Sequence, residues 1–350
     1  MAASGDRSGA LRPLAETGSE DMVKRMVMTS TKMPAPPGGG GSAAASVARR
    51  DVWENVRRQD RDRFLAALFA PPAEREALLL LYGFHLEIAR TREVARELLL
   101  GRIRLHWWRQ GVAAVYGDRD SPTGLDDHPL LAPLAAAVAG YGLERAHFDA
   151  LIDSRDADLE SEPAPPADLP ALEAWIAATA LPLAALSWQV LGGTGNQVLG
   201  GAGNRSAAAL SLPPAVHHAT LAWSLTGAAR ATPFLARQQR TLLPASLLRQ
   251  HGVTLSALYA GQPGPGLAAA VAEVLAAATW HHQRCRVAVA SLDRAAFRRL
   301  RPLLLPAALA AHDGRVLRRI GYDPFHPRAL HSGVGRLLAL LAAVARGRRL

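Results

Sequence analysis

A single cysteine, Cys285, leaves the chain no means of forming an internal disulfide, so packing alone must hold its fold, as suits a reducing compartment. This lone thiol reads as a small buried hydrophobe rather than a nucleophile. Aromatic residues are also scarce, at 5% against 49% hydrophobic residues in all, and Ala and Leu make up the difference. That balance favours helices packed through small and aliphatic side chains. Lysine is nearly missing. Lys24 and Lys32 both precede residue 51, so the basic surface of the body is all arginine. No Gly-x-Ser-x-Gly elbow is present to anchor a hydrolase triad. Gly193, Gly195 and Val198 miss the third glycine of a dinucleotide fingerprint. The first 50 residues lack the apolar core of a Sec-type signal. The nearest candidate for a membrane span, the uncharged stretch 174–191, is broken by Thr179, Pro182, Ser187 and Gln189, and reads as a buried core helix.

What is present is helical periodicity. The 350 residues can bury a large core, and no alternating strand pattern or internal repeat interrupts them. The expected fold is all-α, one helical domain over 51–350. It follows an extension, 1–50, that ends in PAPPGGGGSAAAS and reads as disordered, with no contribution to the fold. Helices are expected over 62–69, 73–98, 102–116, about 129–141, 144–158, 171–191, 212–231, 244–250, from Thr254, 267–292, 294–311, 314–320 and 334–345. The carboxylates Asp153, Asp156, Asp158 and Glu160 read as solvated acids paired to Arg155. Trp107 and Trp108 read as core residues. His217-His218 and His281-His282 are adjacent pairs on diverging helix faces without ligands at metal spacing, so no metal site is expected from them.

The formal net charge of +10 is unevenly spread. From Arg294 onward there are twelve Arg against Asp313 and Asp323, an excess equal to that of the whole chain. Charge of this kind suits an anionic membrane, nucleic acid or an acidic protein. With no recognition motif, nucleic acid is not expected as a partner. The last helix carries Leu337, Leu338, Leu340, Leu341 and Val344, a run too short to span a bilayer. Its apolar side is expected to pack on the body, leaving the arginines to meet an anionic surface.

The organising stretch is LYGFHLEIARTREVARELLLGRIRLHWW, 81–108, which reads as two helices meeting at Gly101. Tyr82, His85, Ala89 and Glu93 recur at spacings of three and four, so one stripe should face a ligand pocket. These residues, with Ile103, Arg104, Trp107, Trp108 and Tyr116, resemble the opening block of the squalene/phytoene synthase family. LIDSRDADLE, the 172–193 segment and ARATPFLARQQRTLLPASLLRQHGV resemble later blocks in the family's order, over roughly 51–345. The resemblance implies the all-α type I isoprenoid synthase fold and, in catalytic members, head-to-head condensation of two prenyl diphosphates. Such members carry two Asp-x-x-x-Asp pairs that hold Mg²⁺ against the leaving diphosphate. Laid onto this chain, the pairs fall on Ala89 and Glu93, and on Ala231 and Leu235, so three of four carboxylates are absent. Glu87 cannot substitute, because two residues turn a helix by about 200°.

Phe84, Glu87, Ile88 and Ala89, with Arg230, Ala231 and Pro233, are similar to a non-catalytic branch that includes a mitochondrial complex I assembly factor. That likeness implies a protein partner in a membrane complex, a cytoplasmic setting on the inner face of a membrane, and no cofactor. The alternative is a prenyl transferase with Mg²⁺. In either case the expected pocket is lined by Tyr82, His85, Ala89, Arg90, Glu93, Arg104, Arg230 and Arg240, with room for an isoprenoid. Arg90, Arg104, Arg230 and Arg240 would grip a diphosphate, or else make ordinary surface pairs such as Glu87 with Arg90.

Overall fold

The computed structural model describes residues 41–94, 97–156, 159, 164–193, 212–330 and 333–348. Among them the regular structure is sixteen α-helices and one 3-10 turn, without strands. In chain order the helices are α1 (Gly41–Gln59), α2 (Arg61–Ala67), α3 (Pro72–Ala89), α4 (Thr91–Val94), α5 (Leu98–Val115), α6 (Leu131–Tyr141), α7 (Arg145–Asp153) and α8 (Leu169–Val190). They continue as α9 (Pro214–Arg230), α10 (Thr232–Ala236), α11 (Ala245–Gln250), α12 (Leu255–Tyr259), α13 (Pro265–Ala290), α14 (Arg294–Arg319), α15 (Pro327–Leu330) and α16 (Val334–Arg346). The all-α expectation is met.

Local chemistry sets many of the starts. The side chains of Asp60, Asp168, Thr254 and Asp293 accept from the backbone N–H groups of Arg63, Ala171, Ala257 and Ala296, filling orphan donors at the N-termini of α2, α8, α12 and α14. Pro72, Pro214 and Pro265 open α3, α9 and α13, where a missing N–H costs nothing. Central to the fold is α9, which packs on α8, α13 and α14. In turn α8 reaches α3, and α14 reaches α2 and α16. Helix α8 is long and apolar enough to cross a membrane by length and composition, yet Leu183, Leu186 and Val190 are among its many buried residues. It is a core helix, as its interrupted sequence predicted.

Four boundaries differ from the sequence reading. Helix α1 begins at Gly41, ten residues before the predicted start, and residues 1–40 of the expected extension lie outside the described residues. Gly83 shows how tightly α1 is seated, since a Cβ there would lie 2.7 Å from Val52 Cγ1. Gly101 is not a junction. It sits buried in the first turn of α5, where a Cβ would meet Leu159 Cδ2 at 2.7 Å, and the chain breaks instead at Arg90 and again before Leu98. The predicted 144–158 helix ends at Asp153. The predicted break near Gly314 is also absent, and α14 runs 26 residues through Pro302, Pro306 and Gly314. Propensity there is overridden by packing, because α14 is buried at Leu304, Leu305, Ala307 and Leu309 against several neighbours.

Candidate functional site

The predicted stripe divides in the structure. Tyr82 lies on the inner face of α3, while His85 and Ala89 are half-buried. The helix ends at Ala89, so Glu93, on the separate α4, does not continue the row, and its side chain lies outside the described residues. Burial pushes the Tyr82 hydroxyl up to about 12, against the pull of Arg63, and Ser187 is in hydrogen-bonding contact with it. Burial, then Arg63 and Arg155, holds His85 well below the usual histidine range. The Arg155 guanidinium donates to His85 Nε2 at 3.0 Å, which places the imidazole proton on Nδ1.

Of the acids expected to pair with Arg155, Asp153 and Asp156 are bridged by Arg109 on α5, at 2.6 Å and 3.2 Å. Asp158 and Glu160 lie outside the described residues.

The sequence reading missed a buried ion pair. Arg104 is fully buried and donates from Nη2 to Glu87 Oε2 at 2.8 Å, with Glu87 only 2% exposed. Glu87 is thus no surface partner of Arg90, and Arg104 is not poised for a diphosphate. Burial raises the Glu87 carboxyl above its usual range, while Arg104 and Arg90 pull it back. Trp108, one turn beyond Arg104 on α5, meets Phe84 and His128 edge-on, and Trp107 joins the same aromatic cluster. Both tryptophans are core residues, as expected. A signal did exist in the sequence, because a lone acid between Leu86 and Ile88 on an apolar helix demands a buried cation.

Arg230 belongs to a second network. Asp313 accepts from Arg230 at 3.1 Å and from Arg336 at 3.3 Å, and Arg336 also pairs with Asp62. Trp223 Nε1 donates to the same Asp62 at 3.2 Å, and Arg63 lies over the Trp223 ring at 4.5 Å and faces Tyr82 at 5.8 Å. The structure therefore links Tyr82 to Arg230 through alternating rings and charges from α2, α3, α9, α14 and α16. Arg240 stands elsewhere, near Tyr259. Of the predicted residues, three cavities lined by described residues take in Arg230 alone, in a cavity of about 510 Å³ that also holds Asp313, Arg328 and Arg336.

Ala231 and Leu235, which the resemblance laid onto the second motif, are half-buried at the α9–α10 break, with Pro233 in the first turn of α10. Among the described residues no group of three or more His, Cys, Asp or Glu is placed to hold a metal ion. The histidine pairs do converge in space, with His218 Nδ1 and His281 Nδ1 2.9 Å apart and Glu173 3.5 Å from His281 Nε2.

Burial lowers His128, His218 and His281 to about 4. Their folded values lie below the unfolded value, so between the two the unfolded chain binds more protons and stability falls as pH drops below about 6.5. His128, 2% exposed, should alone cost about 2 kcal/mol by about pH 5. Urea unfolding between about pH 7 and about pH 5 should show this loss, and His128→Asn should flatten it. Equal pH dependence in both chains would show that His128 is not the group responsible.

Comparison with known proteins places this geometry. A family model described as squalene/phytoene synthase matches residues 56–335. The chain is 23% identical over 274 residues to the Bos taurus protein "NADH dehydrogenase (ubiquinone) complex I, assembly factor 6", covering 78% of this chain and 75% of that one. The Homo sapiens protein of the same name is 22% identical over the same coverage. Among solved structures, squalene synthase HpnC from Alicyclobacillus acidocaldarius aligns with a TM-score of 0.63 at 17% identity, over 85% of this chain and 99% of its own. A dehydrosqualene synthase aligns with a TM-score of 0.67 at 14% identity, over 87% and 98%. The helical fold is theirs, and the chain belongs to the squalene/phytoene synthase family.

Proposed function

We propose that this chain is a non-catalytic member of its family that acts through a protein partner in the assembly of a membrane complex of the respiratory complex I type. The reading is carried by the residues that fall on the two motifs when the family pattern is laid onto this chain, Ala89, Ala231 and Leu235 at three of the four carboxylate positions. The interior acids that remain support it. Glu87 is committed to Arg104, and Asp62 and Asp313 to Arg336 and Arg230, so their charge is spent on arginines. Ionising a prenyl diphosphate needs carboxylate-held Mg²⁺ beside the leaving group, and one acid, Glu93, is a poor anchor for it. The relatives named as complex I assembly factors add support, since they match 78% of this chain. The setting proposed is the inner face of an energy-transducing membrane.

Two measurements test this. Purified protein with Mg²⁺ and farnesyl or geranylgeranyl diphosphate should release no diphosphate, and deletion of the chain in its own organism should deplete assembled NADH dehydrogenase on native gels. Turnover that disappears in Glu93→Gln would replace the proposal with a prenyl transferase. Normal assembly after deletion would remove the assembly role.

A further inference from the structure

The last helix was expected to bury its apolar side, and it does so only in part. Leu340 and Ala343 are buried on the side where α16 packs on α14, whereas Val334, Leu337, Leu338 and Leu341 are 73%, 39%, 58% and 49% exposed. Their spacing of three and four puts all four on one outward stripe. One exposed leucine needs no account, but a contiguous row of four aliphatic side chains on one helix does. The 13 residues of α16 rise about 20 Å, too little to cross a bilayer.

Two cavities flank the C-terminal half of this helix, and Arg346 lines both. The first, about 470 Å³, lies between α13, α14 and α16, with a floor of alanines and a rim of Arg286, Arg315, Arg318 and Arg346. The second, about 560 Å³, adds Arg294, Arg298 and Arg348. Among the described residues no carboxylate lines either cavity. Arg315 and Arg346 donate to carbonyls of their own helices, at Ala311 and Ala342. Asp293, the acid that feels Arg348, is held by the backbone N–H of Ala296 as the cap of α14. Arg348 donates from Nη1 to the carbonyl of Leu292, and the donors these groups do not use on backbone carbonyls stay available to anions, whose phosphate oxygens match the planar guanidinium fork.

We infer that α16 and its two arginine-lined cavities form an interfacial surface that docks this protein on an anionic lipid bilayer. Lipid phosphates enter the cavities, and the stripe from Val334 to Leu341 rests at the boundary between headgroups and acyl chains. A helix with one aliphatic face and arginines beside it has the amphipathic design of interfacial anchors. Nucleic acid would satisfy the arginines and leave the leucines in water. This surface stands on its own residues and does not depend on the assembly role.

Flotation of the full chain decides the matter, with vesicles of phosphatidylcholine alone and of phosphatidylcholine with phosphatidylglycerol in equal parts. Binding is expected to the second only and to be lost in high salt, because attraction is confined to about 8 Å at physiological ionic strength. Each arginine near an anionic leaflet adds about 1 kcal/mol, so Arg315→Gln, Arg318→Gln and Arg346→Gln together should weaken binding on the order of 100-fold. Leu338→Glu with Leu341→Glu should weaken it at least about 10-fold. In Leu338→Trp, tryptophan emission should shift to the blue when the acidic vesicles are added. Equal binding to neutral vesicles, no binding to either kind, or binding unchanged in either set of variants overturns the proposal. Because the substituted leucines are solvent-exposed, loss of binding with an unchanged thermal midpoint would not be a folding artefact.

Discussion

Arg104→Leu should lower the stability of the fold by about 3 to 5 kcal/mol, one of the two largest single-residue effects expected here. The reason lies in what remains. Glu87 would keep its place in the core, 2% exposed, without the guanidinium 2.8 Å away that compensates its charge. Arg90 is half-buried near the end of the same helix and adds to the field at Glu87, which is not enough to replace a direct bidentate-capable partner. The variant therefore has to protonate Glu87, so its folded-state value rises further above the unfolded one. A carboxyl raised in this way binds protons more tightly folded than unfolded, and the stability deficit should shrink as pH falls toward that value. Removing both partners in Glu87→Leu with Arg104→Leu should recover most of the loss, because two aliphatic side chains leave no charge to solvate. Urea unfolding of the three chains measures the cycle. A single-variant cost below about 1 kcal/mol, or a deficit that grows at low pH, would show that the pair is not the electrostatic keystone of α3 and α5.

The same pair marks how far the sequence could be read. Helix after helix was legible, because caps such as Asp168 and Thr254 act within a few residues of themselves. The all-α class followed from that local chemistry, and the family resemblance followed from the blocks around Tyr82 and Arg230. What stayed hidden depends on distance along the chain. Glu87 and Arg104 are seventeen residues apart, and Trp223 meets Asp62 across 161, so neither contact has a spacing that periodicity can register. Gly101 misled for a related reason. Its lack of a Cβ serves close packing against Leu159 and not a turn, and the sequence does not distinguish the two uses. Helix α16 was placed well by its periodic leucines, yet which of them packs is fixed by α14, a partner helix that periodicity cannot identify.

Asp313→Leu should cost a similar amount, about 3 to 5 kcal/mol, and should loosen one end of the molecule more than the rest. Asp313 has a side chain only 8% exposed and receives Arg230 at 3.1 Å and Arg336 at 3.3 Å, so it is the shared counter-charge of two largely buried guanidinium groups. Burial raises its carboxyl, and the two arginines act against that rise. With leucine in its place both arginines keep their charge, since guanidinium does not deprotonate in proteins. Arg336 still has Asp62, whose charge also reaches Arg230, but the one direct contact Arg230 keeps among the described residues is the carbonyl of Ala329 at 3.4 Å. The repulsion between the two cations then falls on the joint that ties α16 to α9 and α14. Hydrogen exchange should therefore accelerate across Val334–Arg346 by more than it does in α13, which touches none of these charges. Asp313→Asn keeps the size and one acceptor oxygen while losing the charge, and should fall between the leucine variant and the natural chain. If exchange rises evenly through all helices, Asp313 supports the fold as a whole. If α16 opens selectively, the network is its hinge pin, and the arginine-lined surface depends on a buried carboxylate at its base.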